Sequence, residues 1–158
     1  DWAIKDDDGY YTILGRTDDV INVAGHRLGT REIEEAIQNH AAIAEVAVVG
    51  VEDKLKGQVP MAFAVVKDAS RVATPELVKA LEKEVFATVD SILGAIGRPA
   101  RVHFVTGLPK TRSGKVMRRV VRAAYLGLDP GDLSSLDDPA SLQAIEELAR
   151  RRANGGGR

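Results

Sequence analysis

The chain alternates between segments in which apolar residues have strand-like spacing and segments in which they have helix-like spacing. Residues 45–51 and 59–67 are rich in β-branched side chains, which predicts two strands that can pair antiparallel across the polar loop between them. Residues 101–105 predict a third strand, and residues 1–14 have the pattern of a strand, a turn and a second strand. Residues 15–29 are too polar and too rich in glycine for a regular element, and predict a structured loop or hairpin.

Apolar residues at intervals of three and four predict helices in the remaining segments. Two of these helices are predicted to begin at Thr30, a favourable N-cap, and at Pro75, whose missing N–H has no partner to lose in a first turn. Another is predicted over residues 115–126 with Ser113 as its cap, and the last over residues 141–151.

The helix that begins at Pro75 carries Leu77, Leu81 and Val85 at helical spacing, which predicts that these side chains face the core. The order of strands and helices predicts an α/β fold of the α+β kind. We expect a small three-stranded sheet flanked by helices and preceded by a β-hairpin.

Composition places the chain among globular proteins, with 158 residues, 44% hydrophobic and 28% charged. A net charge of −1 gives no general attraction to nucleic acids or anionic membranes. The absence of cysteine excludes disulfides, thiolate metal sites and cysteine nucleophiles. No apolar run reaches the roughly 20 residues that span a bilayer, and no signal-peptide pattern is present, so we expect a cytoplasmic protein without a membrane partner.

The segment 109–122 concentrates positive charge without any carboxylate. Its cations are Lys110, Arg112, Lys115, Arg118, Arg119 and Arg122. A run of this kind indicates either an anionic partner or a solvated basic helix face. Ser113, Gly114 and Lys115 precede the predicted helix, where free N–H groups and an ammonium group would form a phosphate site. The segment is not a Walker loop, because Val116 follows the lysine where that loop needs Ser or Thr.

A second candidate segment lies at residues 15–34. Arg16 and Arg27 stand close to glycines, and guanidinium groups bind phosphate oxygens well. Asp18 and Asp19 could instead neutralise these arginines in surface ion pairs, and the spacing leaves both interpretations open. The histidines show no metal-ligand spacing, so no metal site is predicted.

Taken together, these segments resemble the signature motifs of the adenylate-forming superfamily, which contains acyl-CoA synthetases, luciferases and peptide-synthetase adenylation domains. The motifs are DDDGYYTILGRTDDVINVAGHRLGTREIEE and LPKTRSGKVMRR. The later stretches FATVDSILGAIGRPARVHFV and YLGLDPGDLSSLDDPASL are more similar to propionyl-CoA synthetases than to acetyl-CoA synthetases. The resemblance covers nearly the whole chain and identifies it with the C-terminal domain of these enzymes.

The resemblance implies a reaction in two steps. ATP and a carboxylic acid give an acyl-adenylate and pyrophosphate, and CoA then displaces AMP to form the thioester. In this family the C-terminal domain rotates between the steps against an N-terminal adenylation domain, which holds the acid and the main ligands of Mg²⁺. The chain is therefore expected to be the mobile domain of a propionate–CoA ligase that uses ATP, CoA and Mg²⁺, and to be inactive alone.

The resemblance also implies roles for individual residues. Lys115 matches the catalytic lysine that contacts carboxylate and phosphate oxygens during adenylation, and Asp18 matches the hinge. Gly25 matches a glycine that lines the pantetheine tunnel of CoA. The positions that match nucleotide-binding residues are Asp1, Arg16 and Arg27. No motif assigns the CoA 3′-phosphate, for which Lys83, Arg98 and Arg101 are open possibilities.

The lysine of this motif is reversibly acetylated in the family, so a protein lysine acetyltransferase and a deacetylase acting on Lys115 are a hypothesis for this chain. Three other functions remain open. The chain could be the corresponding domain of an acetyl-CoA synthetase, a nucleic-acid-binding module that uses the basic segment, or an interaction domain without a catalytic role.

The resemblance divides the chain. Residues 1–18 correspond to the end of the preceding region and the hinge, and residues 19–128 to the C-terminal domain. Residues 129–153 are expected to be an extension with a helix, and residues 154–158 a flexible tail. Because Asp1 begins a segment typical of the middle of a protein, we expect the chain to be part of a longer one.

Overall fold

The computed structural model of the chain describes residues 2–5, 11–15 and 20–154, with side chains from residue 20 onward except at position 153. The strands in these ranges are β1 (Trp2–Lys5), β2 (Tyr11–Gly15), β3 (Val20–Val23), β4 (His26–Gly29), β5 (Ile43–Asp53), β6 (Gly57–Val66) and β7 (Arg101–Phe104). The α-helices in these ranges are α1 (Thr30–Gln38), α2 (Pro75–Leu93), α3 (Arg118–Leu126) and α4 (Ala140–Asn154). Short 3₁₀ helices lie at Ala69–Val72 and Ala95–Gly97.

The central sheet is mixed. Strands β5 and β6 pair antiparallel along their whole length, and β7 runs parallel to β6, with Met61 opposite Arg101. The β3–β4 hairpin joins the beginning of β6, where Val23 lies opposite Gly57. This confirms the α+β class, the predicted strands and their antiparallel pairing. The hairpin enlarges the sheet to five strands, because residues 20–29 belong to it. Strands β1 and β2 form a separate antiparallel pair, as predicted.

Helices cover both faces of the central sheet, and this explains the continuous apolar run of β5. Val46 and Val48 point toward one face, where the buried residues of α1 and α2 pack. Ala47, Val49 and Val51 point toward the other, where α3 and α4 pack. The side-chain alternation of a strand thus divides one apolar run between two cores.

The sequence predicted the start of α2 correctly but not the exposure of Leu77, and it placed the start of α3 too early. Helix α2 begins at Pro75 with Thr74 as N-cap, whose Oγ1 accepts a hydrogen bond from Leu77 N (3.2 Å). The prediction that Leu77 is buried is wrong, because it lies in this first turn with 42% of its surface exposed. Helix α3 begins at Arg118 and not at residue 115, which changes the surroundings of Lys115.

The segment after α3 folds back on the domain. Arg119 donates hydrogen bonds to the carbonyl oxygens of Pro130 and Asp132. Leu142 and Ile145 of α4 are buried in the same core as α3. Within residues 2–5, 11–15 and 20–154, none of the helices has the length and apolar character needed to cross a membrane.

Candidate functional site

Lys115 lies in a short hairpin, residues 109–117, between β7 and α3. Thr111 N donates a hydrogen bond to Lys115 O (2.8 Å), and Met117 N donates one to Pro109 O (2.8 Å). These bonds use main-chain groups that a helix over the same residues would need, so α3 begins only after the hairpin closes. The hairpin therefore displaces Lys115 from the helix terminus that the sequence predicted.

The tip of this hairpin uses its own N–H groups. Gly114 N donates to Thr111 O (2.9 Å), and Lys115 N donates to the Thr111 hydroxyl (3.2 Å). Gly114 has φ +89°, in the left-handed region that glycine adopts at little cost. The expectation that these N–H groups form a phosphate site at a helix start is wrong, because they are already bonded within the turn.

The Lys115 side chain is exposed at this tip. Within the part of the chain that the structure describes, its ammonium group forms neither an ion pair nor a side-chain hydrogen bond. The positive charge of Lys115 thus lies at the end of a long side chain, on a turn whose main-chain N–H groups are hydrogen-bonded within the hairpin. Such an arrangement leaves the ammonium group accessible to a molecule outside the domain.

Most of the other cations of segment 109–122 have partners inside the domain. The contacts are Lys110 with Glu45, Arg118 with Glu34, Arg119 with the carbonyls of Pro130 and Asp132, and Arg122 with the carbonyl of Gly50 (2.9 Å). The segment is therefore not a continuous basic face. Among these cations, Arg112 and Lys115 are the two that stay exposed at the hairpin tip without such a contact in the described residues.

The Glu34 carboxylate belongs to the more buried of the two ion pairs. It is 7% exposed, and it accepts hydrogen bonds from Val48 N (2.9 Å) and from Arg118 Nε (2.6 Å) on one oxygen and from Arg118 Nη2 on the other. Two parallel bonds between a carboxylate and a guanidinium group fix both orientation and distance. The sequence did not predict these roles of Glu34 and Glu45. Each lies far along the chain from its cation, 84 positions for Glu34 and 65 for Glu45, so no local motif links the partners.

Gly25 lies in the turn between β3 and β4, residues 23–26. Gly25 has φ +84°, and its neighbour Ala24 has φ +50°. Ala24 N donates a hydrogen bond to Lys56 O (2.8 Å), which ties the turn to the loop before β6. A Cβ atom added to Gly25 would have nothing within 4 Å, so the turn is open on that side.

A cavity of about 520 Å³ adjoins this turn. Its lining includes Ala24, Lys56, Phe86 and Arg98. The Arg98 Nε donates a hydrogen bond to Asp90 (3.0 Å), and this contact lowers the pKa of the Asp90 carboxyl. Of the three cations that the sequence left open for a phosphate group, Arg98 lines this cavity, whereas Lys83 and Arg101 are exposed elsewhere.

Four other residues were predicted from the sequence to contact the nucleotide or to form the hinge. Arg27 is exposed on β4, where it takes part in a contact. Asp1, Arg16 and Asp18 lie outside the described residues. No group of three or more His, Asp or Glu side chains that could hold a metal ion occurs in the described ranges.

His103 of β7 is a partly buried titratable group. Its ring stacks on Phe63, with 5.4 Å between centroids, and its Nε2 lies 3.3 Å from the Tyr125 hydroxyl. Burial, and to a lesser degree Arg101 and Arg152, lower the pKa of His103 to about 4. The ring is therefore neutral near pH 7 and acts as part of the core between the sheet and α3.

The chain is similar to a known protein family, to curated enzymes and to solved structures. The family of AMP-binding enzyme C-terminal domains matches residues 32–115. A propionate–CoA ligase of Escherichia coli K12 is 59% identical over 93% of the chain, and an acetyl-coenzyme A synthetase of Pyrobaculum arsenaticum is 50% identical over 97%. The chain spans 23% of the length of each. The solved structure of an acyl-CoA synthetase from Brucella canis is 37% identical, with a TM-score of 0.60 over 77% of the chain and 22% of that structure.

Proposed function

The chain belongs to the family of AMP-binding enzyme C-terminal domains, and from this premise we propose that it is the mobile domain of a short-chain acyl-CoA synthetase. The proposed reaction converts propionate, ATP and CoA to propionyl-CoA, AMP and pyrophosphate through an acyl-adenylate. The domain supplies the adenylation lysine and part of the CoA site, and is inactive without an adenylation domain. Cytoplasmic location is part of the same proposal.

The observation that carries this proposal is the exposed ammonium group of Lys115, which forms no ion pair within residues 20–154, on an internally bonded hairpin. When a carboxylate oxygen attacks the α-phosphorus of ATP, negative charge accumulates on the oxygens around that phosphorus. An ammonium group held beside those oxygens stabilises the transition state more than the separated reactants. Because Lys115 has no carboxylate partner of its own in residues 20–154, its full charge is available for this task.

Mg²⁺ is required by the reaction proposed here, and it would neutralise charge on the phosphates of ATP. The described residues offer no cluster of carboxylates or histidines that could hold it. We therefore propose that its ligands lie in the adenylation domain.

The second half-reaction uses the turn of residues 23–26. Gly25 is exposed and has open space beside it, so a thin chain such as pantetheine can pass close to the main chain. Arg98 is the best placed of the three candidate cations for a CoA phosphate, because it lines the cavity next to this turn. Asp18 as the hinge and Asp1, Arg16 and Arg27 as nucleotide contacts complete the proposal.

Propionate is favoured over acetate as the substrate. The support is the higher identity to propionate–CoA ligase, 59% against 50% for acetyl-coenzyme A synthetase. Acetate is the alternative. Because the acid pocket is expected in the adenylation domain, the ratio of kcat/KM for the two acids has to be measured with this chain joined to its own adenylation domain and not to that of another enzyme. A domain that binds nucleic acid through segment 109–122 is disfavoured, because most of its cations are bonded within the domain.

Acetylation of Lys115 would abolish the first half-reaction by removing its charge. Exposure at the tip of a hairpin makes the amine accessible to a protein acetyltransferase, and a deacetylase would reverse the change. Mass spectrometry of protein isolated from cells grown with and without the acid tests this proposal. Complete absence of acetyl-Lys115 in every condition would contradict it.

The main test uses an enzyme in which this chain replaces the matching segment of the E. coli propionate–CoA ligase. Lys115→Ala should lower propionate-dependent exchange of pyrophosphate into ATP about a hundredfold or more. The same variant should convert supplied propionyl-adenylate and CoA to propionyl-CoA at the unmodified rate. Equal loss of both half-reactions would overturn the role of Lys115, and an inactive unmodified chimera would count against the function itself.

A further inference from the structure

We infer that Glu34 and Glu45 are positioning residues for Lys115, because they hold the two ends of its hairpin through Arg118 and Lys110. This inference rests on the proposed function of Lys115. Neither carboxylate is expected to touch the substrate. Their effect is to determine where the Lys115 main chain stands relative to the body of the domain.

The first anchor lies just after the hairpin. Arg118 is the first residue of α3, and its guanidinium group bonds both oxygens of Glu34 on α1. The same carboxylate accepts a hydrogen bond from Val48 N of β5 (2.9 Å). One buried group therefore joins the end of the hairpin to a helix and to the central sheet.

The second anchor lies at the beginning of the hairpin. The Lys110 ammonium group forms an ion pair with Glu45 of β5, and the two side chains are 31% and 37% exposed. The Lys110 carbonyl also accepts a hydrogen bond from Asp137 N (2.9 Å). The hairpin tip between the anchors makes no comparable side-chain ion pair with the rest of the described domain.

This arrangement affects the geometry of the hairpin as well as the stability of the domain. A catalytic ammonium group is effective only when it is held close to the position of the developing charge, and a displacement of about 1 Å can reduce the rate by about a hundredfold. The Lys115 side chain is long and flexible, so its reach is defined by the position of its main chain. Anchors on both sides restrict rotation of the hairpin about either end.

The test uses the chimeric enzyme described above and measures both half-reactions. Glu45→Gln, at a partly exposed pair where the protein should fold normally, is expected to lower kcat for pyrophosphate exchange about threefold. Glu34→Gln is expected to lower it about tenfold. KM for ATP and propionate and the rate of thioester formation from propionyl-adenylate should stay unchanged in both variants, because a positioning effect acts only on the adenylation transition state.

Two comparisons separate positioning from general stability. The double exchange Lys110→Glu with Glu45→Lys restores an ion pair with reversed charges and should recover the exchange rate that Glu45→Gln loses. Glu147→Gln removes the exposed Arg151–Glu147 pair of α4 and should leave both half-reactions unchanged.

The possible outcomes are distinct. If Lys115→Ala abolishes exchange but Glu34→Gln and Glu45→Gln do not alter it, the positioning inference is wrong and the proposed function stands. Equal reduction of both half-reactions in the folded Glu variants would show a structural role instead. If Lys115→Ala itself leaves exchange intact, the proposed function fails, and the positioning inference fails with it.

Discussion

Lys115 and Gly25 both lie in tight antiparallel turns, and a glycine in each turn has a left-handed conformation, with φ of +89° at Gly114 and +84° at Gly25. The two turns differ in how they are attached to the domain. The Lys115 hairpin is held at both ends by cation–carboxylate pairs. The Gly25 turn is held by bonds of its main chain, from Ala24 N to Lys56 O (2.8 Å) and from Asn22 N to the Gln58 side chain (3.0 Å).

The difference corresponds to what each turn is proposed to contribute. A charge that acts on a reacting phosphorus must be fixed in position, and side-chain ion pairs to the helix and sheet fix it. The contribution of Gly25 is the absence of a side chain, for which a suitable path of the main chain is enough. The same local geometry can therefore serve either to present a group or to leave space.

The largest expected effect concerns the anchoring of the Lys115 hairpin. Arg118→Ala leaves the Glu34 carboxylate buried without its cation, which should lower the free energy of unfolding by about 3 kcal/mol. Gln58→Ala removes a comparable cross-link of the Gly25 turn, a hydrogen bond between neutral groups, and should cost only about 1 kcal/mol. Urea denaturation of the chain measures both. Equal losses would mean that the two turns are anchored alike.

The second prediction exchanges a hydrogen for a methyl group in the Gly25 turn. Gly25→Ala should lower thioester formation from propionyl-adenylate about tenfold, because the methyl group enters the space proposed for pantetheine. Pyrophosphate exchange should be unaffected. Gly127→Ala is the matched control, since Gly127 also has a left-handed φ of +71° and open space beside it. If the control lowers thioester formation equally, backbone strain and not lost space is responsible.

The third prediction replaces glycine by alanine in the Lys115 hairpin. The Cβ atom of Gly114→Ala would have nothing within 4 Å, so the effect of this substitution comes from strain at φ +89°, which shifts the hairpin tip. Pyrophosphate exchange should fall several-fold while thioester formation stays unchanged, the reverse of the Gly25→Ala pattern. Loss of the same half-reaction in both variants would contradict the separate roles of the two turns.

Much of the fold follows from the sequence. The β-branched runs of β5 and β6 predicted the central strands, because a sheet buried on both faces needs apolar residues at every position. The place of β3 in the sheet was harder to predict, since Ile21 and Val23 are its only fully buried residues. Leu77 follows the helical pattern but lies in the first turn of α2, beyond the edge of the core.

The candidate site was predictable only in part. A motif resemblance identified Lys115, and the structure brings its ammonium group to the surface. The anchors could not be predicted, because Glu34 and Arg118 are brought together by the packing of α1 and α3 on the sheet and not by any local spacing. The late start of α3 also depends on the hairpin, whose closing bond from Met117 N competes with a helical turn.

The smallest expected effect is a response to acid on the face of the sheet that supports α3. Burial lowers the pKa of His103 to about 4 from the usual 6.5, so between these values the unfolded chain binds a proton that the folded chain does not. The free energy of unfolding should therefore decrease as the pH falls from 6.5 toward 4, by about 1 kcal/mol after allowance for the partial exposure of the ring.

In His103→Gln this part of the pH dependence should disappear, whereas His26→Gln, at the exposed β3–β4 hairpin that carries Gly25, should keep it. Urea denaturation at pH 6.5, 5.5 and 4.5 gives the slopes. Identical slopes in both variants and the unmodified chain would show that His103 accepts its proton in the folded state, so that the two regions respond to acid alike.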